Sequence, residues 1–198
     1  MKFIFVLALA ALLSPSEMIT KMTDSLYVPE QKIAVQGVDR DNNRISLEFD
    51  KAKKVLKKTE KGGTSEMKLS EMPLFLKLFF FDADKKAPES IGIAAKSLSG
   101  ALHAAGINTE VSSMSVSEFD GSATLAVGKE KRFSKADVLE LSKESMRPAL
   151  LKVGDETFVF SDYHRSPLPL LFPGRIRFFK NGVLQNEWLF LRDEYKQN

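Results

Sequence analysis

The chain contains no cysteine and only two histidines among its 198 residues. The missing thiols exclude disulfides, thiolate nucleophiles, redox dithiols, iron–sulfur clusters and every zinc site that uses cysteine ligands. Two histidines are too few for an all-histidine metal cage. The sequence also lacks a Gly-rich phosphate loop and the G-x-S-x-G motif of a serine nucleophile. It therefore predicts no metal site and no cofactor, and it favours binding over catalysis.

A large excess of one charge is also missing, because 29 Lys plus Arg face 26 Asp plus Glu and the formal net charge is +3. Lysine is nevertheless dense between residues 51 and 61. This stretch is either a solvated charged face or a basic patch for phosphate or anionic lipid. No aromatic residue lies among these lysines, so the stretch does not indicate a stacking platform for single strands. No nucleic-acid partner is expected.

The apolar run at the N-terminus, residues 3–13, is too short to span a bilayer, which takes about 20 residues. Lys2 precedes the run and Ser14-Pro15-Ser16 follows it, which is the three-part pattern of a secretory signal peptide. We expect residues 1–16 to be this signal peptide and the protein to be extracytoplasmic, either periplasmic or secreted. An uncleaved anchor with peripheral membrane association and a buried N-terminal segment are the alternatives. Export of a chain without cysteine favours a bacterial cell envelope.

Residues 17–63 are predicted to form a strand-rich N-terminal segment. Its first part, residues 17–30, has a mixed polar composition and is interpreted as a leader. Alternating apolar residues predict strands over residues 31–38 and 44–49, which form a hairpin. The lysine-rich stretch that follows fits either a helix or a second hairpin that turns at Gly62-Gly63.

Residues 64–198 are predicted to form the main domain. The nearly continuous apolar run 73–81 is typical of a central strand that is covered on both faces. One helix is predicted to begin at Pro88 and a second, shorter helix at Ser134. Further strands are predicted at 109–116 and 122–127 and in two hairpins, 149–161 and 174–191. The predicted fold class is α/β, with α+β as the alternative: a mixed β-sheet flanked by two helices, with an N-terminal β-hairpin extension.

Two short segments of this domain carry motifs of a known family. Residues 81–89 read F-D-A-D-K-K-A-P-E, and Pro173 is followed by a strand that ends in F-K-N-G. They resemble the strand-to-helix turn of thioredoxins, which contains C-G-P-C, and the cis-proline of that family with its following strand. In this alignment Lys86 and Glu89 occupy the positions of the two cysteines. The resemblance implies a thioredoxin-like fold that is redox-inactive, in which Lys86, Glu89 and Pro173 belong to a binding face.

The loop 162–172 is the first place in which the sequence indicates chemistry. His164 can act as a general base that Asp162 or a distant carboxylate orients, and Arg165 can clamp an anion. The same loop contains an apolar stretch, which is a partner-docking patch if it is exposed and part of the core if it is buried. The candidate binding residues of this stretch are Leu168, Leu170 and Phe172.

The leading functional hypothesis is an exported, non-catalytic protein-binding domain that belongs to a cell-envelope or secretion assembly. It combines the export pattern with the absence of a recognisable catalytic set. The alternative is an extracytoplasmic hydrolase-like enzyme that uses the loop Asp162-Tyr163-His164-Arg165. A protein partner in the envelope is expected, and the oligomeric state is left open.

Overall fold

All strands of the described chain belong to one antiparallel sheet in the computed structural model. The structure describes residues 13–83, 88–117, 119–129, 136–163 and 172–190. The strands are β1 (Lys32–Asp39), β2 (Arg44–Asp50), β3 (Val55–Glu60), β4 (Gly63–Lys68), β5 (Ser112–Val116), β6 (Ala123–Val127), β7 (Val138–Ser142), β8 (Pro148–Val153), β9 (Glu156–Ser161), β10 (Arg175–Lys180) and β11 (Val183–Leu189). The helices are α1 (Pro15–Ser25), α2 (Leu74–Lys77) and α3 (Pro88–Ala104), and a 3-10 turn (Leu69–Glu71) precedes α2.

The order of strands across the sheet is β4-β3-β2-β1-β11-β10-β9-β8-β7-β6-β5. Neighbours in the sheet are therefore neighbours in the chain everywhere except at β1 and β11, and short turns suffice for such antiparallel pairs. β1 and β11 join the two runs of hairpins through the pairs Val38–Leu189 and Asp39–Trp188. We call the contact between these two strands the joint.

One face of the sheet, which we call the inner face, is apolar and carries the core. On β2 the residues Ile45, Leu47 and Phe49 are buried and alternate with more exposed ones. The same core includes side chains of all three helices, among them Met22, Leu76 and Leu102. The helices therefore lie against the inner face, and the opposite face is called the outer face below.

Helix α1 occupies the segment that was interpreted as a polar leader, so that interpretation is wrong. The Ser14 hydroxyl accepts a hydrogen bond from the Glu17 N–H, and the Glu17 carboxylate accepts one from the Ser14 N–H at 2.8 Å. This reciprocal capping box satisfies two donors that a helix start would leave unpaired. The helix is amphipathic, and the residues that bury its apolar face are Met18, Ile19 and Met22.

The predicted α/β fold class is wrong, because the strand pairs of the described chain are antiparallel and no mixed, thioredoxin-like sheet is present among them. The apolar run 73–81, predicted as the central strand, instead forms α2 and the turn after it. Leu78, Phe79 and Phe80 of this run are at most 4% exposed because the segment lies between the inner face and α3. A short run that is buried on all sides has no periodicity that separates strand from helix.

The helix predicted from Ser134 is also wrong, since residues 138–142 form β7. Both faces of β7 are covered, so its sequence does not alternate in polarity as a half-buried strand does. The helix that begins at Pro88 is confirmed, and so are the hairpins of β1–β2, β8–β9 and β10–β11. Of the two alternatives for the lysine-rich stretch, the structure has the hairpin, formed by β3 and β4.

In the chain that retains residues 1–16, substitution of Ser14 by alanine is expected to lower the free energy of unfolding by about 1 kcal/mol, because the cap of α1 is lost. Substitution by threonine keeps the hydroxyl that accepts from the Glu17 N–H and donates to the Glu17 carboxylate, so it should retain most of the wild-type value. Urea denaturation followed by circular dichroism measures both. Equal stability of the alanine and threonine variants would show that the capping box does not hold α1 in place.

Candidate ligand-binding cavity

A cavity of about 470 Å³ lies between the inner face and α2. Its walls come from β2, β3 and β4 on one side and from β8 to β11 on the other. Strands that are far apart in the sheet border the same space, so the sheet curves around it. The volume falls in the range of about 300–1,000 Å³ that is typical of small-molecule sites.

A row of aromatic rings forms part of the cavity wall. Phe75 of α2 stacks on Phe158 with 4.4 Å between ring centroids and on Trp188 with 5.9 Å. Phe158 in turn stacks on Phe178 at 4.8 Å. Each offset aromatic pair contributes about 0.5–1.5 kcal/mol beyond its buried area. The stack therefore fixes α2 against the sheet and gives the cavity a broad nonpolar wall.

The cavity lining has two charged residues, Lys58 and Glu156, among the described residues that border it. The Lys58 Nζ lies 2.7 Å from the Glu60 Oε2, and the Lys180 Nζ lies 4.0 Å from the Glu156 Oε1. The rest of the lining is aliphatic or aromatic. Such a site can bury hydrocarbon, and it offers few groups for hydrogen bonds or proton transfer.

The predicted catalytic loop lies apart from this cavity as far as it is described. The Asp162 Oδ2 lies 3.1 Å from the Arg175 Nε, so this carboxylate is engaged in an ion pair. His164 and Arg165 lie outside the described residues. Of the three candidate catalytic residues, Asp162 is therefore the one that the structure describes. The catalytic role of the group stays a prediction.

Tyr163 ties the start of that loop to β8. Its hydroxyl donates a hydrogen bond to the Pro148 carbonyl at 2.7 Å, and the Arg147 guanidinium lies 5.5 Å from its ring. Burial raises the pKa of Tyr163 well above its ordinary value of 10.0, although the nearby Arg147 charge acts in the opposite direction. The phenol is therefore neutral at physiological pH and serves as a hydrogen-bond donor.

Phe172, predicted as a docking residue, is a core residue. It is 2% exposed, and its ring contacts those of Phe79, Phe80 and Phe190 at centroid distances of 5.1, 5.6 and 5.0 Å. Leu168 and Leu170 lie outside the described residues. The described part of the loop thus contributes to the core and offers no exposed docking patch.

Two of the residues that the thioredoxin resemblance indicated are described, and neither borders the cavity. Glu89 is exposed in the first turn of α3, and Pro173 is buried just before β10. Lys86 lies outside the described residues. The described residues therefore do not show a common binding face formed by Lys86, Glu89 and Pro173.

A buried polar cluster lies on the outer face. The Glu140 carboxylate accepts hydrogen bonds from the hydroxyls of Ser115 and Thr124 at 3.2 and 3.3 Å, and the Lys129 Nζ lies 3.8 Å from it. Glu140 and Lys129 are 4% and 6% exposed. Within the described residues, no three histidine, aspartate or glutamate side chains are close enough to hold a metal ion.

The sequence interpretation missed the cavity residues, although one signal for them is present. Aromatic residues recur at every second position on two predicted strands, as Phe158 and Phe160 and as Trp188 and Phe190. This period places each pair on one face of its strand. Large rings on one face of two short strands indicate a broad apolar surface. Such a surface can line a cavity as well as pack the core.

In the described ranges, no helix combines the length and hydropathy that crossing a bilayer requires. No family model matches the sequence, and no curated protein matches it. The cavity and its chemistry are therefore the basis for assigning a function to this protein.

Proposed function

We propose that this protein is a non-catalytic, extracytoplasmic binding protein that holds an elongated hydrocarbon chain in the cavity between the inner face and α2. The observation that carries the proposal is the lining, in which every described residue except Lys58 and Glu156 is nonpolar. Removing hydrocarbon from water contributes roughly 25 cal/mol per Å² of apolar area. The secretory pattern of residues 1–16 supports a site of action outside the cytoplasm.

The chemistry of the lining favours a hydrocarbon chain. Apart from α2, its described residues come mostly from strands β4 to β8 of the sheet order, which curve around one space, and two of them are charged. A hydrocarbon chain carries no donor or acceptor, so the apolar wall leaves none of its atoms without a partner. A protein partner in the cell envelope, which the sequence analysis predicted, would be the donor or the acceptor of this ligand.

The single tryptophan of the chain provides a direct test, because Trp188 borders the cavity. A long-chain alcohol with bromine atoms along its chain is titrated into the full-length protein. Bromine quenches indole fluorescence on contact, so we expect saturable quenching that the unbrominated alcohol reverses by competition. Quenching that rises linearly without saturation would overturn the proposal.

A pair of glutamine variants on β8 locates the binding site. Val153 borders the cavity, whereas Lys152 lies on the outer face of the same strand. Val153→Gln is expected to weaken binding of the alcohol about tenfold, because a buried amide without partners costs about 1–3 kcal/mol. Lys152→Gln should bind as the wild type does. Equal affinities of the two variants would place the ligand elsewhere.

A further inference from the structure

We infer that the ligand of this cavity is an amphiphile with an anionic head, a carboxylate or a phosphate monoester, and that Lys58 pairs with this head. The inference rests on the proposed function, because it concerns the polar end of the same hydrocarbon chain. Three observations carry it: the charge of the β3–β4 hairpin, the direction of Lys58 and the partial burial of its side chain.

The β3–β4 hairpin and the turn before it are strongly basic. Residues 51–68 contain seven lysines and two glutamates, a net charge of +5 in a chain whose total is +3. A concentration of one sign at one end of an apolar cleft raises the local concentration of ions of the other sign. Lys58 is the lysine of this stretch that the structure places at the cavity, so the hairpin supplies a cation to this end of the lining.

Of two adjacent lysines on β3, one points into the cavity. Successive strand residues face opposite sides. Lys58 lies on the inner face beside Leu47 and borders the cavity. Lys57 is exposed on the outer face, in register with Glu48 and Glu66. A cation is thus placed at the edge of a nonpolar site by the strand itself.

The Lys58 side chain is less exposed than that of its carboxylate partner. The Lys58 side chain is 28% exposed and that of Glu60 is 50% exposed, at 2.7 Å between Nζ and Oε2. An ammonium group has three donors, so it can bind a ligand oxygen while it keeps Glu60. The other charged residue of the lining, Glu156, is 45% exposed and also has a cationic partner, since its Oε1 lies 4.0 Å from the Lys180 Nζ. The less exposed Lys58 therefore favours an anion at its end of the lining.

The experiment compares a brominated long-chain fatty acid with the brominated alcohol of equal length, both measured by quenching of Trp188. In the wild type we expect the acid to bind about tenfold more tightly, as a charge-assisted hydrogen bond predicts. Lys58→Met keeps the aliphatic stem and removes the charge, so it should lower the affinity for the acid to that for the alcohol. Lys57→Met is the matched control and should change either affinity by less than about twofold.

A third titration uses a long-chain alkyl phosphate and distinguishes the two candidate head groups, carboxylate and phosphate. Whichever of acid and phosphate binds the wild type more tightly identifies the head, and both should lose affinity in Lys58→Met. Equal binding of acid and alcohol by the wild type overturns the inference and leaves the proposed function intact. The inference also fails if Lys58→Met weakens acid and alcohol alike. If none of the three probes quenches Trp188, both the inference and the proposed function fail.

Discussion

Replacement of Gly37 by alanine is expected to lower the free energy of unfolding by about 3 kcal/mol, at the upper end of the range for overpacked sites. An added Cβ would overlap the Leu189 carbonyl oxygen and would lie 2.9 Å from the Phe190 Cδ1. A backbone oxygen cannot turn away as a side chain can, so β1 would have to move from β11. Urea denaturation followed by Trp188 fluorescence measures the loss.

Gly100→Ala is the matched control for this substitution. Gly100 lies inside α3, and an added Cβ there would meet nothing within 4 Å. Alanine is favoured over glycine in a helix by about 0.5–1 kcal/mol, so this variant should be more stable than the wild type. If both variants are stabilised, the close approach of the two strands at the joint does not exist.

The joint also links stability to the proposed function. β1 and β11 connect the hairpins that supply Leu47 and Lys58 to those that supply Phe158 and Trp188. A shift at Gly37 would therefore separate the two walls of the cavity. We expect the folded Gly37→Ala variant to bind the brominated alcohol more weakly than the wild type does.

The local elements of this fold are well predicted where a half-buried strand or a specific turn marks them. The alternation of Ile45, Leu47 and Phe49 identifies β2, because one side of that strand faces the core and the other faces water. Asn181 and Gly182 have φ angles of 51° and 75°, which their residue types permit and a hairpin turn requires. These signals are short-range, so a sequence displays them directly.

The architecture depends on contacts that carry no such signal. The pairing of Val38 with Leu189 brings opposite ends of the chain together through backbone hydrogen bonds, which are indifferent to residue type. The apolar run 73–81 looks the same whether it forms a central strand or a short helix inside a curved sheet. The cavity follows from that curvature, so its residues could not be grouped from the sequence.

The lysine-rich stretch shows the same difference between what short-range sequence signals reveal and what long-range contacts decide. Composition indicates an excess of lysine, but it does not separate Lys57 from Lys58. Once the stretch is a hairpin in register with β2, alternation assigns one lysine to the cavity and the other to solvent. Whether a lysine of this stretch belongs to a solvated face or to a binding site thus depends on strand register, which the sequence does not reveal.

The second large effect is expected at the polar cluster of the outer face. Glu140→Met should lower the free energy of unfolding by about 3 kcal/mol, because it removes the carboxylate beside the buried Lys129 ammonium. The hydroxyls of Ser115 and Thr124 lose the same acceptor. Loss of a buried acceptor leaves the full desolvation penalty of its donors, which adds to the effect.

The double variant Glu140→Met with Lys129→Met decides whether this loss comes from an isolated charge. Replacement of a buried ion pair by nonpolar residues of similar size is often neutral or stabilising. The double variant should therefore recover much of the stability that Glu140→Met loses, and the two substitutions should be non-additive by more than about 1 kcal/mol. Additive losses would mean that Lys129 and Glu140 do not interact. Since both residues lie on the side opposite the cavity, binding of the brominated alcohol to the folded double variant should equal that of the wild type.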